Sequence, residues 1–131
     1  MPHLRGPLSA LLLTALVVLL IGCPKHPIDP MVEAAQAMAG TWMDPGGCHF
    51  TIALQDDTPK MTSVVDADGE PFQIQSTGWR DGHFHGIYLV PSTGFLVDIT
   101  ILDQPGPDEL HTEWKNPLDS GRESWSRIIE E

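Results

Sequence analysis

His49-Phe50-Thr51-Ile52-Ala53-Leu54-Gln55 sets Phe50, Ile52 and Leu54 against His49, Thr51 and Gln55. A side-chain period of two belongs to a strand with one apolar face and one wet face. The stretch stops at Asp56-Asp57-Thr58-Pro59, and the same rhythm recurs on both sides of it. Before it, Thr41–Asp44 ends at Asp44-Pro45-Gly46-Gly47. After it come Met61–Asp66, a turn at Asp66-Ala67-Asp68-Gly69, and Phe72–Trp79, where Phe72, Ile74 and Ser76 oppose Gln73, Gln75 and Thr77. Arg80-Asp81-Gly82 is a tight hairpin signal. Beyond it, His83–Val90, Phe95–Leu102, Glu109–Lys115 and Arg122–Ile128 are separated by Pro91-Ser92-Thr93-Gly94, by Gln104-Pro105-Gly106-Pro107 and by the Asn116 to Gly121 segment.

Eight short strands with turn clusters between them and no intervening helix predict an all-β fold with next-neighbour antiparallel pairing. At this count a sheet closes into a small eight-stranded antiparallel meander barrel, wide enough inside for side chains or one small ligand, and closure hides strand edges. A sandwich of two four-stranded sheets has the same periodicity and stays open as the alternative. Trp42, Trp79, Trp114 and Trp125, with Phe50, Phe72, Phe84, Phe95 and Tyr88, supply the area to dominate such a core.

Upstream of the strands, Asp29 can cap a helix with Pro30 at its first position, the alanines of Met31–Ala39 extend it, and Gly40 stops it. We expect Met31, Ala34, Ala35 and Met38 to face the barrel. Pro24-Lys25-His26-Pro27-Ile28-Asp29-Pro30 has three prolines in seven positions, which makes an extended spacer of roughly 20 Å. Further back, Leu8 to Ile21 is almost unbroken apolar sequence preceded by Arg5. It is too short for a spanning helix, which needs about 20 residues, and reads as an export signal over residues 1–22. The expected organisation is therefore a leader at 1–22, a tether and short helix at 23–39, and the barrel at 40–131.

Removing residues 1–22 takes Arg5 and no acid, leaving 109 residues with 6 Lys and Arg against 18 Asp and Glu, a formal charge of −12. That is one small domain with one core. Its charge repels phosphate backbones and disfavours nucleic acid as a partner. Of two cysteines, Cys48 has no intramolecular mate once Cys23 is engaged elsewhere, so no disulfide framework is expected, and Cys48 reads as a small buried apolar residue in preference to a reactive or intermolecularly paired thiol.

Three resemblances sharpen these readings. Leu20-Ile21-Gly22-Cys23 resembles the lipobox of bacterial lipoproteins, which implies lipidation of Cys23, palmitate-type acyl chains among the anchors, and attachment to a membrane. Pro24, where an aspartate would favour inner-membrane retention, leans toward the outer membrane and a periplasm-facing domain. Gly40-Thr41-Trp42 opening the first strand, with an Arg near the end of the last, resembles the lipocalin and wider calycin pattern. That likeness implies a barrel closed at one end by Trp42 and Arg127, with Arg122 as the second choice, and a binding role for a small apolar ligand or an envelope partner. Ala39-Gly40-Thr41-Trp42 with Gly46-Gly47-Cys48 also resembles small barrels that inhibit bacterial metalloproteases, and this is the alternative, beside a structural or assembly role.

Catalytic and metal chemistry have little support in the residues. His83 and His85 share one face of a strand and are the candidate metal ligands, with His111, Glu113 or His49 approaching from neighbours. The same alternation puts Phe84, Gly86, Tyr88 and Val90 on the opposite face, so the histidines are expected in solvent and no metal or other cofactor is expected. No nucleophile elbow, phosphate loop or His-Glu-x-x-His helix occurs. Asp98 and the Asp108-Glu109 pair are read as surface acids, and the expectation is a non-enzyme.

Overall fold

The computed structural model describes residues 29–129. The leader, Cys23 and the tether before Asp29 lie outside the described residues. Among the described residues one helix, α1 (Pro30–Met38), precedes eight strands: β1 (Gly40–Met43), β2 (His49–Gln55), β3 (Thr58–Val65), β4 (Gln73–Arg80), β5 (His83–Val90), β6 (Phe95–Gly106), β7 (Glu109–Lys115) and β8 (Ser120–Arg127). Asp29 caps α1, its carboxylate accepting from the Met31 amide at 2.9 Å, and Pro30 occupies the first turn where a missing N–H costs nothing.

The strands form one continuous antiparallel sheet in the order β3-β2-β1-β8-β7-β6-β5-β4. The β1–β8 ladder, Trp42 opposite Arg127 and Met43 opposite Ser126, joins the ends of the meander and curls the sheet into a nearly closed barrel. A single sheet excludes the sandwich. The remaining seam lies between β3 and β4, which carry no regular ladder. There the Met61 amide donates to the Thr77 hydroxyl at 2.8 Å, the Phe72 amide donates to the Val64 carbonyl at 2.8 Å, and Val65 bridges Pro71.

Inside, Trp42, Phe50, Ile52, Val64, Phe84, Leu110 and Trp125 are almost wholly buried. Phe50 stacks on Trp125 with ring centroids 3.9 Å apart. Gly86 has a packing reason: a Cβ there would stand 2.7 Å from the Met61 sulfur, so the glycine makes room for a side chain from across the seam.

Several local expectations are corrected. Pro59 is not a strand stop: Asp56 and Asp57, with φ of 52° and 63°, make the β2–β3 turn by themselves, and Pro59 is tolerated because β3 is an edge strand. Gln104-Pro105-Gly106 belongs to β6, which continues through two register shifts, after Ile101 and after Asp103. In β4, a bulge between Ile74 and Ser76 breaks the expected alternation and puts Thr77, opposite the buried Gly86, on the inner face instead of Ser76. Of the four α1 residues expected to face the barrel, Ala35 and Met38 are buried, whereas Met31 and Ala34 are exposed.

Candidate functional site

The up-and-down chain path gives the barrel two different ends. At one, α1 lies over the opening and is fixed there by Arg127. Its guanidinium carbon sits 4.3 Å from the Trp42 ring centroid. Arg127 Nη1 donates to the Ala39 carbonyl at 2.7 Å, and Nη2 donates to the Ala37 carbonyl at 2.8 Å and the Pro107 carbonyl at 2.9 Å. Nε reaches Asp108 at 3.1 Å. A planar fork of donors suits this convergence, and a cation there complements the carbonyl-rich end of α1. The Trp42 indole donates to the Met38 carbonyl at 2.8 Å, and the Gln104 amide donates to Ala37 at 3.0 Å. Gly40 completes the arrangement: its φ is +136°, and a Cβ would lie 2.5 Å from Arg127 Nη1. The structure thus brings Trp42 and Arg127 together, while Arg122 points to solvent and pairs with Glu113 at 3.4 Å.

The opposite mouth has another chemistry. Cys48, Tyr88 and Glu123 gather there with Asp44, and Phe72 stacks on Tyr88 at 5.3 Å. Burial, then the charges of Asp44 and Asp66, push the Cys48 thiol up to about 11. Burial foremost, then Cys48, Asp44 and Glu123, raises Tyr88 far above its ordinary value. A thiol and a phenol held protonated are hydrogen-bonding and packing groups, not nucleophiles. Glu123 is raised by burial and by Asp44, and the neighbouring Trp125 indole partly offsets this. That indole N–H is itself buried and finds no acceptor at hydrogen-bonding distance. Glu123 was readable in the sequence, since it stands two residues from Trp125 on the same face of the last strand.

The histidines stay on the outer face. His83 Nδ1 donates to the Ile101 carbonyl at 3.1 Å and His85 Nδ1 to the Gly78 carbonyl at 2.9 Å, because a carbonyl can only accept. His111 lies elsewhere, between Asp103 at 2.7 Å and Glu109 at 2.9 Å. Among the described residues no cluster of three or more His, Cys, Asp or Glu side chains is arranged to hold a metal ion. Asp98 faces outward, held by Arg80 through two bonds of 2.7 and 2.9 Å.

Two clefts lie at the helix end, outside the packed interior. One, of about 140 Å³, is walled by Ala34, Met38, Trp79, Phe84 and Ile101. A broader dimple of about 340 Å³ is bordered by Asp108, Glu109, Ser124 and Ser126. Among the described residues no helix is long and apolar enough to cross a membrane.

Comparison with protein-family models, with curated proteins and with solved structures finds no match to this chain. The barrel is consistent with the lipocalin-like architecture in its strand count, antiparallel order and leading helix.

Proposed function

We propose that this chain is an outer-membrane lipoprotein, acylated at Cys23, whose barrel is a non-catalytic binding module for an envelope protein in the periplasm. The anchor reading is supported by Leu20-Ile21-Gly22-Cys23 and the Pro-rich spacer behind it. Several acyl chains hold where one gives marginal attachment. Between a small apolar ligand and a protein partner, the filled interior supports the partner. The Phe50–Trp125 stack and its neighbours occupy the space a carried ligand would need. The apolar cleft beside α1, at about 140 Å³, is below the roughly 300 Å³ where small-molecule pockets begin, and the dimple of about 340 Å³ is bordered by Asp108, Glu109, Ser124 and Ser126, not by the apolar side chains that an apolar ligand needs. Binding then falls to the outer surface and the rims, where proteins dock.

The full chain expressed in a Gram-negative host tests this. The wild type should fractionate with the outer membrane and give the mass of a chain beginning at an acylated Cys23, and Cys23→Ser should abolish the acyl mass. An intact leader with an unmodified thiol would refute the anchor. A small molecule retained in stoichiometric amount through purification, seen by native mass spectrometry, would refute the protein-partner reading.

A further inference from the structure

We infer that His111 is a proton-operated catch, which holds the β6–β7 tip and the wall of the cleft beside α1 in acid and loosens both as the medium turns alkaline. The inference rests on neither the membrane anchor nor any envelope partner. Its ground is geometric. Nδ1 of His111 lies 2.7 Å from an Asp103 carboxylate oxygen, and Nε2 lies 2.9 Å from a Glu109 carboxylate oxygen. Carboxylates only accept, so both contacts are hydrogen bonds only when the ring carries two N–H groups and a positive charge. His83 and His85 differ: each uses Nδ1 on a backbone carbonyl, a demand that a neutral ring already meets.

Asp103 is where such a catch has leverage. β6 shifts register on both sides of it, after Ile101 and again before Gly106, and Asp103 opposite His111 is the ladder pair between the two irregularities. The next residue, Gln104, donates to the Ala37 carbonyl of α1 at 3.0 Å, and Leu102, Asp103 and Gln104 share the cleft with Ala34 and Met38 of that helix. Deprotonation leaves one N–H for two carboxylates. Either the cross-strand bond to Asp103 is lost, or it persists without the charge that roughly doubles a hydrogen bond's strength while Glu109 faces a lone pair. Arg127 holds α1 in both states, so the change falls on the hairpin tip and the cleft wall.

The surrounding charges are already engaged. On β7, Glu113 lies two residues from His111 on the same face and takes up Arg122 of β8 at 3.4 Å and Lys115 at 3.7 Å. Ser124 of β8 stands opposite His111 and is uncharged. In the turn, Asp108 is held by Arg127 at 3.1 Å. β5 contributes His83, which borders the same cleft as Asp103 and is bonded to the Ile101 carbonyl. The two acids that bracket the ring are therefore left to the ring itself, and histidine is the side chain that ordinarily changes charge between pH 5 and 8.

Amide hydrogen exchange of the full chain in detergent micelles, followed residue by residue at those two pH values, tests this. Protection factors divide out the chemical dependence of exchange on pH, and the amides of β2 serve as the internal reference. Relative to β2, amides from Asp103 to His111 should be about two- to fivefold better protected in acid in the wild type, the range of an exposed ion pair. His111→Gln, which keeps a neutral donor, should abolish this difference, and Asp103→Asn should shrink it. His85→Gln, which removes a histidine outside the catch, should keep it whole. A wild-type tip equally protected at both pH values, a His111→Gln tip that keeps the difference, or a His85→Gln tip that loses it would overturn the inference. If circular dichroism shows that His111→Gln disturbs the fold, Asp103→Asn decides alone, and an undiminished difference there overturns the inference as well.

Discussion

Arg127 lies over the indole of Trp42 at 4.3 Å while its guanidinium ties together the end of α1 and the β6–β7 turn. These two residues are register partners in the ladder that joins the first strand to the last. One side chain therefore fastens the helix, the closing ladder and a hairpin that are far apart in sequence.

Replacing Arg127 by Lys keeps the charge and loses the fork. The three carbonyls of Ala37, Ala39 and Pro107 cannot all be reached by one ammonium, so Arg127→Lys should cost about 1 to 3 kcal/mol in urea unfolding. Gly40→Ala should cost at least about 2 kcal/mol, because it adds a Cβ against Arg127 at a φ that side chains rarely adopt. A Gly40→Ala midpoint equal to the wild type would show that the guanidinium has room to move.

The two most deeply buried tryptophans should respond differently to the loss of their N–H groups. Trp42 donates to the Met38 carbonyl, whereas the buried Trp125 N–H makes no hydrogen bond within 3.5 Å and has only the neighbouring Glu123 carboxylate to turn to. Each change to Phe removes similar volume. Trp42→Phe should therefore be the more destabilising, by about 1 kcal/mol, as measured by chemical denaturation. Trp42→Ala, which leaves a cavity, should cost about 3 to 5 kcal/mol.

Two carboxylates should give stability opposite dependences on pH. The Arg80 hydrogen bonds hold Asp98 below its ordinary value, so its contribution is present above the unfolded-state pKa and fades as pH falls through the lowered one. Both partners are partly exposed, and Asp98→Asn should cost only about 0.5 to 1 kcal/mol at neutral pH and nothing in strong acid. Glu123 is raised by burial, so the fold favours its protonated form, and that preference is lost as pH rises through the raised value. Glu123→Gln should accordingly stabilise the chain at pH 7 and leave it unchanged below the ordinary carboxyl range. Melting curves of the two variants across pH check both signs.

Much of this fold was legible in the sequence because β2, β5 and β7 obey one period from end to end, and their turns contain residues that specify them. The Asp29-Pro30 start of α1 was legible for the same reason. What escaped was non-local. The β4 bulge moves Thr77 inward to meet Met61 from a strand that does not pair with it, and no short-range pattern encodes that contact. Asp56-Asp57 makes a two-residue turn, so Thr58-Pro59 belongs to the next strand. At the site, the Gly40-Thr41-Trp42 spacing drew attention to Trp42 and Arg127, while the gathering of Cys48, Tyr88 and Glu123 depends on three strands meeting at one mouth.

Cys48 should be a slow thiol. With its pKa pushed up to about 11 by burial and by Asp44, almost none of it is thiolate at pH 7, and thiolate is the reacting form. Native chain should react with a maleimide or disulfide reagent far more slowly than urea-unfolded chain, and Asp44→Asn should speed the native reaction by removing a neighbouring charge. The Asp44 carboxylate also accepts from the Cys48 amide at 2.9 Å, so the rate must be compared with a melting curve of the same variant. Fast labelling of the folded wild type would mean that the thiol is not sheltered at the mouth.

The β3–β4 seam should be the softest part of the barrel. Elsewhere each strand is held on both sides by ladders, whereas here the Met61 amide depends on the Thr77 hydroxyl and the Phe72 amide on the Val64 carbonyl. Opening this seam breaks few hydrogen bonds and moves the Met61 side chain away from Gly86, so amides of β3 and β4 should exchange with solvent faster than those of β1, β7 and β8. Thr77→Val keeps the shape but removes the acceptor, leaving the Met61 amide unpaired at a cost of about 1 to 3 kcal/mol. Thr77→Ser keeps the hydroxyl and should retain most of the stability. Hydrogen exchange followed residue by residue should show Thr77→Val raising the rate at Met61 most, and uniform protection across all eight strands would mean that the seam is as firmly closed as the ladders.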